Sequence, residues 1–291
     1  MRKHIHLICV ASEHIFTEVI NSFHKYFCDK GHKFTYEYAF KTTPVKKFSQ
    51  DMNIVIKAQR EFDPKILPSQ STKVLFQSEQ FSHLRKFDST PHSEPWDLVL
   101  EIFPNQFDVE MDANTPVIRY FPVGYEIFYN MQTKGVGFVE DRNCIFDCYF
   151  FGAKTKYRVN LWHDSVLPIA PNSRFANTDI GPDKYHNIIY SKVNIFIPAW
   201  EPYYFSNMRV MQILANRKYL LVVSDTPQDF IPYPNVKHFQ VVRSIELRNF
   251  LKRLLKNPES RKQFVEEVMW PDLIANHKFS DHLDKALENF L

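Results

Sequence analysis

Nowhere does this sequence contain a run of about 18 uncharged apolar residues, so a spanning helix is excluded, while a peripheral membrane contact stays open. Charge of one sign is also lacking. With 36 Lys and Arg against 33 Asp and Glu, the formal net charge is only +3, too small to announce a nucleic-acid surface but compatible with a local anion-binding patch. Four cysteines occur, Cys9, Cys28, Cys144 and Cys148, with no CxxC pair and no zinc-type spacing to histidine. They read as buried thiols in a reducing compartment. The apolar stretch after the basic start is interrupted by His6 and ends at Ser12-Glu13-His14 without a small-residue cleavage site, so no signal peptide is expected and the cytoplasm is the expected location. Internal repeats and low-complexity segments are missing too. What remains is a globular composition, 44% hydrophobic and 15% aromatic with 27 Phe, over 291 residues, a length that predicts two domains.

Short β-type runs alternate with longer helix-type segments, the rhythm of parallel sheets covered by helices on both faces. Residues 5–11 read as a first buried strand, and Ser12 is placed to cap the following helix, where Ile15, Val19, Phe23 and Phe27 recur every four residues. Gly31 then stops that helix by accepting a left-handed conformation. Further strands are expected at 32–40, 53–58, 73–77, 97–103 and 116–121, making one doubly wound domain over residues 1–130. The polar segment 131–142, with Gly135 and Gly137, reads as a linker. The rhythm restarts in a second domain, 143–270, with strands at 146–151, 193–198 and 219–223. Its helices are expected at 155–167, 207–216, 245–255 and 258–269, and a tail helix with Leu283, Leu287 and Leu291 at four-residue spacing is expected to pack back on the first domain from 271–291.

In open α/β sheets the ligand lies at the carboxyl ends of the strands, so the loops after the strands of the second half hold the informative residues. In Gly152-Ala153-Lys154-Thr155-Lys156-Tyr157-Arg158, a glycine lets backbone N–H groups approach an anion and the basic residues supply charge. That suits a diphosphate; the alternative is a tight turn with solvated lysines. The second loop, 199–207, places Glu201 directly after a strand and runs through an aromatic turn to Ser206 and Asn207, where a helix start offers free N–H donors. Arg209 lies in the first turn of that helix, among residues at core spacing, and a cation there is disfavoured by the helix dipole unless an anion is near. In the first half, Glu79 follows a strand and reads either as a general base or as an exposed glutamate opening a helix. Glu13 and His14 follow the first strand, and His14 reads as an acid, a base, a phosphate ligand or a solvent-facing side chain.

The segment Arg209-Val210-Met211-Gln212-Ile213-Leu214-Ala215-Asn216-Arg217, followed by a strand and Asp225, resembles the donor-binding segment of GT-B glycosyltransferases, which reads roughly R-V-F-E-A-L-A-C-G before a strand ending in Asp. Gly152 and Arg158 resemble the G-x-x-x-x-x-R of the spore-protein-like group that includes CgeB and YkvP. The likeness covers residues 146–266, and it departs at two places: the family's ribose-gripping glutamate is Gln212, and its glycine is Arg217. Gln77-Ser78-Glu79-Gln80 is similar to an acceptor-domain stretch of some capsule-type glycosyltransferases, and 120–125 looks like the crossing between domains in this fold.

The resemblance implies a GT-B architecture, two doubly wound Rossmann-like domains facing a central cleft, and a transferase moving sugar from a nucleotide-diphosphate donor to a hydroxyl. Lys154, Arg158 and Arg209 would meet the diphosphate, Glu201 the donor hydroxyls, and Gln212 the ribose, with Gly152, Ser206 and Asn207 completing the donor site. Glu79 and His14 would serve the acceptor side. No metal or cofactor is expected, since such enzymes generally do without one and Asp179, Asp183 and Asp229 are scattered. The acceptor is a glycan or, as in phage-type enzymes, a DNA base, for which the cluster Lys41, Lys46 and Lys47 would supply a basic face. Two rivals share the fold: a nucleotide-sugar-binding protein without turnover, and an epimerase.

Overall fold

The computed structural model describes residues 2–10, 16–39, 45, 47–57, 62–78, 95–102, 116–126, 138–177, 179, 181–199, 206–225 and 236–291. It divides into two compact units, Met1–Val123 with Phe279–Leu291, and Gly124–Lys278. The chain thus leaves the first unit within the expected 120–125 crossing, ahead of the 131–142 segment, and returns to it at Phe279. Val123 and Gly124 both have positive φ, 65° and 50°. For a β-branched residue that conformation is costly, so surrounding structure must hold Val123 in it.

The first unit carries six parallel strands, β1 (His4–Val10), β2 (Lys33–Tyr38), β3 (Met52–Lys57), β4 (Thr72–Gln77), β5 (Leu98–Glu101) and β6 (Val117–Tyr120), in the order β2-β1-β3-β4-β5-β6. A parallel sheet covered on both faces needs apolar residues on both, which is why β1 and β3 read as near-continuous runs and not as alternations. On one face Ile8, Val10, Val55, Leu75 and Val99 pack with Phe62, Leu67 and Trp96. The other face meets helix α1 (Thr17–Asp29). Phe23 of α1 packs edge-on against Phe76 of β4, with ring centroids 6.0 Å apart.

Gly31 closes α1 as expected, with φ 79°. Its N–H donates to the Cys28 carbonyl and the next N–H, of His32, donates to that of Phe27, the paired bonds of a Schellman motif. Ser12 lies outside the described residues, and α1 is described from Thr17.

The final helix, Phe279–Ala286, belongs to this first unit. Phe279 stands edge-on to both Phe23 and Phe121, at centroid distances of 5.3 and 5.2 Å. Leu283 and Leu287 are buried with it, whereas Leu291 is exposed. Arg119 of β6 donates from Nη1 to the carbonyls of Lys285, Ala286 and Glu288, satisfying acceptors that a helix end leaves open.

The second unit carries β7 (Phe146–Phe151), β8 (Arg174–Ala176), β9 (Ser191–Phe196), β10 (Leu220–Val223) and β11 (Gln240–Val242), all parallel, in the order β11-β10-β9-β7-β8. The three-residue strands β8 and β11 are too short to show in a hydrophobic pattern. Helix α2 (Lys156–Leu161) continues through a π-type turn at Trp162–Val166, and α3 (Gly181–Ile189) and α4 (Asn207–Leu214) follow. After α5 (Leu247–Leu255), helix α6 (Pro258–Gln263) runs through another π-type turn, Phe264–Met269, into α7 (Trp270–Asn276). The sequence reading ends this helix before Pro271; the wider turn ahead of the proline accommodates its missing N–H and lets the helix continue. Among the described residues no helix is long and apolar enough to cross a membrane. All four cysteines are free thiols, but only Cys9 and Cys148 are buried, Cys144 being half-buried and Cys28 exposed.

Candidate functional site

From β7 the chain moves to β8 on one side, and from β9 it moves to β10 on the other. Because neighbouring β7 and β9 send their connections in opposite directions, a crevice opens beyond their carboxyl ends, the place where open α/β sheets bind ligands. Both loops singled out from the sequence begin there. Of the 199–207 loop, residues 200–205 and hence Glu201 lie outside the described residues, as do His14 and Glu79.

Gly152 follows β7 with φ 144°, and a Cβ there would lie 3.0 Å from both terminal nitrogens of Arg209 and 3.1 Å from its Cζ. Only a glycine lets the Arg209 guanidinium settle over this turn. The same guanidinium carbon sits 5.4 Å from the Phe151 ring centre and 5.6 Å from that of Phe196, the last residues of β7 and β9. Ser206 caps α4, its Oγ accepting from the Arg209 N–H at 3.4 Å. Asn207 is fully buried, and Gln212 is 7% exposed on the inward side of α4. Lys154 is exposed, on a loop pinned by its N–H donating to Asn177 Oδ1 at 2.9 Å.

Arg158 is placed differently from the expectation of a diphosphate contact. It is 1% exposed, its Nε donates to the Ile197 carbonyl and its Nη1 to the Ala153 carbonyl, both at 2.9 Å. The residue therefore braces the two crevice loops from inside, one bond to each. Thr155 caps α2 by accepting from the Arg158 N–H.

Two further residues explain features that the sequence left open. Arg217 stands where the GT-B pattern has glycine, and it adopts a left-handed backbone, φ 51°. Its guanidinium lies 4.3 Å from the Trp270 ring centre, an attraction of the order of the left-handed cost of about 1–2 kcal/mol. Asp225, after β10, accepts from the N–H and Oγ of Ser244 at 2.8 and 2.6 Å, capping the turn that leads into α5.

Asp179 was only a scattered carboxylate in the sequence. In the structure it accepts from the Tyr149 hydroxyl at 2.9 Å, from Asn187 Nδ2 at 2.6 Å and from Arg174 Nη2 at 3.0 Å, tying β7, β8 and α3 together. Burial pushes its carboxyl up, but the hydrogen bonds from Arg174, Tyr149 and Asn187 outweigh burial and hold it below the usual carboxylate value. The same burial and the Asp179 partner push the Tyr149 hydroxyl up.

No family model matches the chain, and no curated protein matches it in sequence. Solved structures do match. An α-glucosyltransferase in complex with UDP and a 13-mer DNA containing an HMU base superposes with a TM-score of 0.71 at 10% identity, covering 100% of both chains. An α-glucosyltransferase with UDP-glucose and abasic-site DNA gives 0.67 at 9% identity, covering 100% of this chain and 99% of its own. HepE from Anabaena, with UDP and glucose, gives 0.65 at 8% identity, over 99% of this chain and 100% of its own. The chain has the GT-B fold. The expected pair of doubly wound domains is thereby established, each with its own parallel sheet.

Proposed function

We propose that this chain is a glycosyltransferase that binds a nucleotide-diphosphate sugar at the β7–β9 crevice of its second unit and transfers the sugar to an acceptor hydroxyl. One observation carries the reading: the sequence-distant Gly152 turn and Arg209 guanidinium meet at the point where the strand order reverses. In the reaction the bond from the anomeric carbon to the diphosphate oxygen breaks, the acceptor oxygen bonds that carbon, and the acceptor proton passes to a base. Arg209 and the exposed Lys154 meet the charge that grows on the departing diphosphate, helped by the N–H groups at the start of α4. Ser206, Asn207 and Arg158 shape that start and its facing loop. Gln212 is proposed for the ribose and Glu201 for the donor hydroxyls, while Glu79 or His14 takes the acceptor proton. The transfer itself needs no metal in this scheme.

The finer resemblance to the CgeB and YkvP group is supported by the Gly152 and Arg158 pattern and by a left-handed turn at Arg217, where that pattern has glycine. A DNA base hydroxyl is the acceptor favoured here, because two structures that match over this whole chain are complexes with DNA. The test is a melting-temperature panel with UDP, UDP-glucose, GDP and GDP-fucose, followed by transfer of labelled sugar to hydroxymethylated duplex DNA and to glycans. Stabilisation by one nucleotide with sugar transferred is expected. A panel in which no nucleotide raises the melting temperature overturns the reading, and binding without transfer or release of free sugar would turn it to a binding protein or an epimerase.

A further inference from the structure

His238 meets Asp272, 34 positions further on, and the nearby His277 at the other end of the second sheet. His238 closes the short turn Val236–His238 that leads into β11, Asp272 lies in the first turn of α7, and His277 follows that helix. Asp272 Oδ2 is 2.6 Å from His238 Nε2 and 3.5 Å from His277 Nε2. One ligand atom from each of the three falls within 4.8 Å of the others, the one such group of metal-ligating side chains among the described residues.

We propose that His238, Asp272 and His277 form a binding site for a divalent late-transition-metal ion such as zinc. Two imidazole nitrogens and one carboxylate oxygen are a donor set that zinc accepts, with water in the fourth position. Ligand atoms about 2.1 Å from a tetrahedral zinc stand about 3.4 Å apart, so the His277 to Asp272 distance already fits and the His238 to Asp272 pair has to open by roughly 0.8 Å. Asn276 Nδ2 donates to Asp272 Oδ1 at 2.7 Å, which fixes the carboxylate with its other oxygen toward both histidines. Such outer bonds to a ligating carboxylate orient it and strengthen the site. His238 is buried and its partners are only partly exposed, so the ion would be enclosed by protein on one side.

The location argues for a structural ion and not a catalytic one. His238 precedes β11, so it lies at the amino ends of the parallel strands, whereas Gly152 and Ser206 follow the carboxyl ends of β7 and β9. His277 sits one residue before the end of the second unit, and its carbonyl accepts from the Tyr125 N–H, next to the point where the chain enters that unit. An ion here would tie the β11 turn and α7 to both chain crossings. This inference is independent of the glycosyltransferase reading.

The experiment is a zinc titration of the chelator-stripped full chain against a chromophoric competing chelator, with melting temperature followed in parallel. One equivalent bound, a zinc-dependent rise in melting temperature, and intense visible bands from the cobalt-substituted protein are expected. Asp272→Asn and His277→Gln should each weaken zinc by at least about 100-fold, and Asn276→Ala by roughly 10-fold. Should a variant fail to fold, shown by loss of far-ultraviolet dichroism, the cobalt spectrum of the wild type decides alone: bands of a six-coordinate ion overturn the proposal. So does zinc binding that is substoichiometric, or that survives both ligand substitutions. In that case the three residues are a hydrogen-bonded clamp, and Asp272→Asn lowers the melting temperature equally with and without zinc.

Discussion

The two helices that open on the β7–β9 crevice are built alike and differ in one side chain's direction. Helix α2 follows β7 and α4 follows β9; each is capped by a hydroxyl residue, Thr155 or Ser206, and each has an arginine three residues later whose N–H reaches that cap. Arg158 turns inward over Phe150, 5.1 Å from its ring centre, while Arg209 lies by Phe151, the next residue of the same strand. Successive strand residues face opposite sides of a sheet, so one register step separates the two environments. On the Phe150 side the guanidinium meets carbonyls and is enclosed. On the Phe151 side it lies over the Gly152 turn, where the proposed donor diphosphate would meet it. Residue type and position in the helix are thus insufficient to tell an inward brace from a guanidinium at the crevice loops; the face of the preceding strand separates the two.

That contrast breaks most sharply by removing each arginine in turn. Arg158→Met keeps the apolar stem and leaves the Ile197 and Ala153 carbonyls without a donor, which should cost roughly 3 kcal/mol of stability. In thermal unfolding this is a fall on the order of 10 °C, with donor turnover per folded molecule little changed. Arg209→Ala should do the reverse, lowering turnover by roughly 10²-fold while the melting temperature moves little. If Arg209→Ala instead unfolds early with normal turnover per folded molecule, the two arginines are both structural and the contrast is void.

Gly152→Ala sharpens the comparison from the other side. The new methyl would press on the Arg209 guanidinium from 3.0 Å and would strain a backbone at φ 144°. Donor affinity should fall by roughly 10-fold, about 1.4 kcal/mol, as measured by nucleotide-induced stabilisation. Combined with Arg209→Ala, the glycine change should add almost nothing, because both act on one contact. Full additivity would show that Gly152 serves the backbone turn alone.

Strands β1 to β7, β9 and β10 were legible because buried parallel strands leave local signals in sequence, whereas the three-residue β8 and β11 leave none. Gly31 was legible for the same reason: a left-handed helix stop needs a residue without Cβ, and the sequence has one there. Arg158 was misread because its inward turn depends on two carbonyls, Ile197 and Ala153, one of them 39 residues away. The His238, Asp272 and His277 group was missed because only Asp272 and His277 are near in sequence, and it takes the fold to bring the β11 turn to α7. Arg217 looked anomalous for want of Trp270, 53 positions on in the same sequence.

The smallest expected effect concerns the support beneath β7. Tyr149→Phe removes one of the donors to Asp179 without changing the buried ring, so the loss should be about 1 kcal/mol, read from urea or thermal unfolding. The pH dependence carries the sharper signature. Asp179 is held below its ordinary value near 3.8, so its contribution to stability is present above that value and is lost as pH falls through the lower folded value. With Tyr149→Phe the folded value should move back toward the ordinary one, and the difference between variant and wild type should shrink as both are acidified and Asp179 is protonated in each. Because Tyr149 belongs to the middle of β7 and not to the crevice, donor affinity of the folded variant should stay within about twofold of wild type, on the scale where a tenfold change is 1.4 kcal/mol. A large loss of affinity in Tyr149→Phe would mean that the Asp179 network positions Gly152 through the strand, and that the division between bracing and binding residues drawn from the two arginines does not hold at β7.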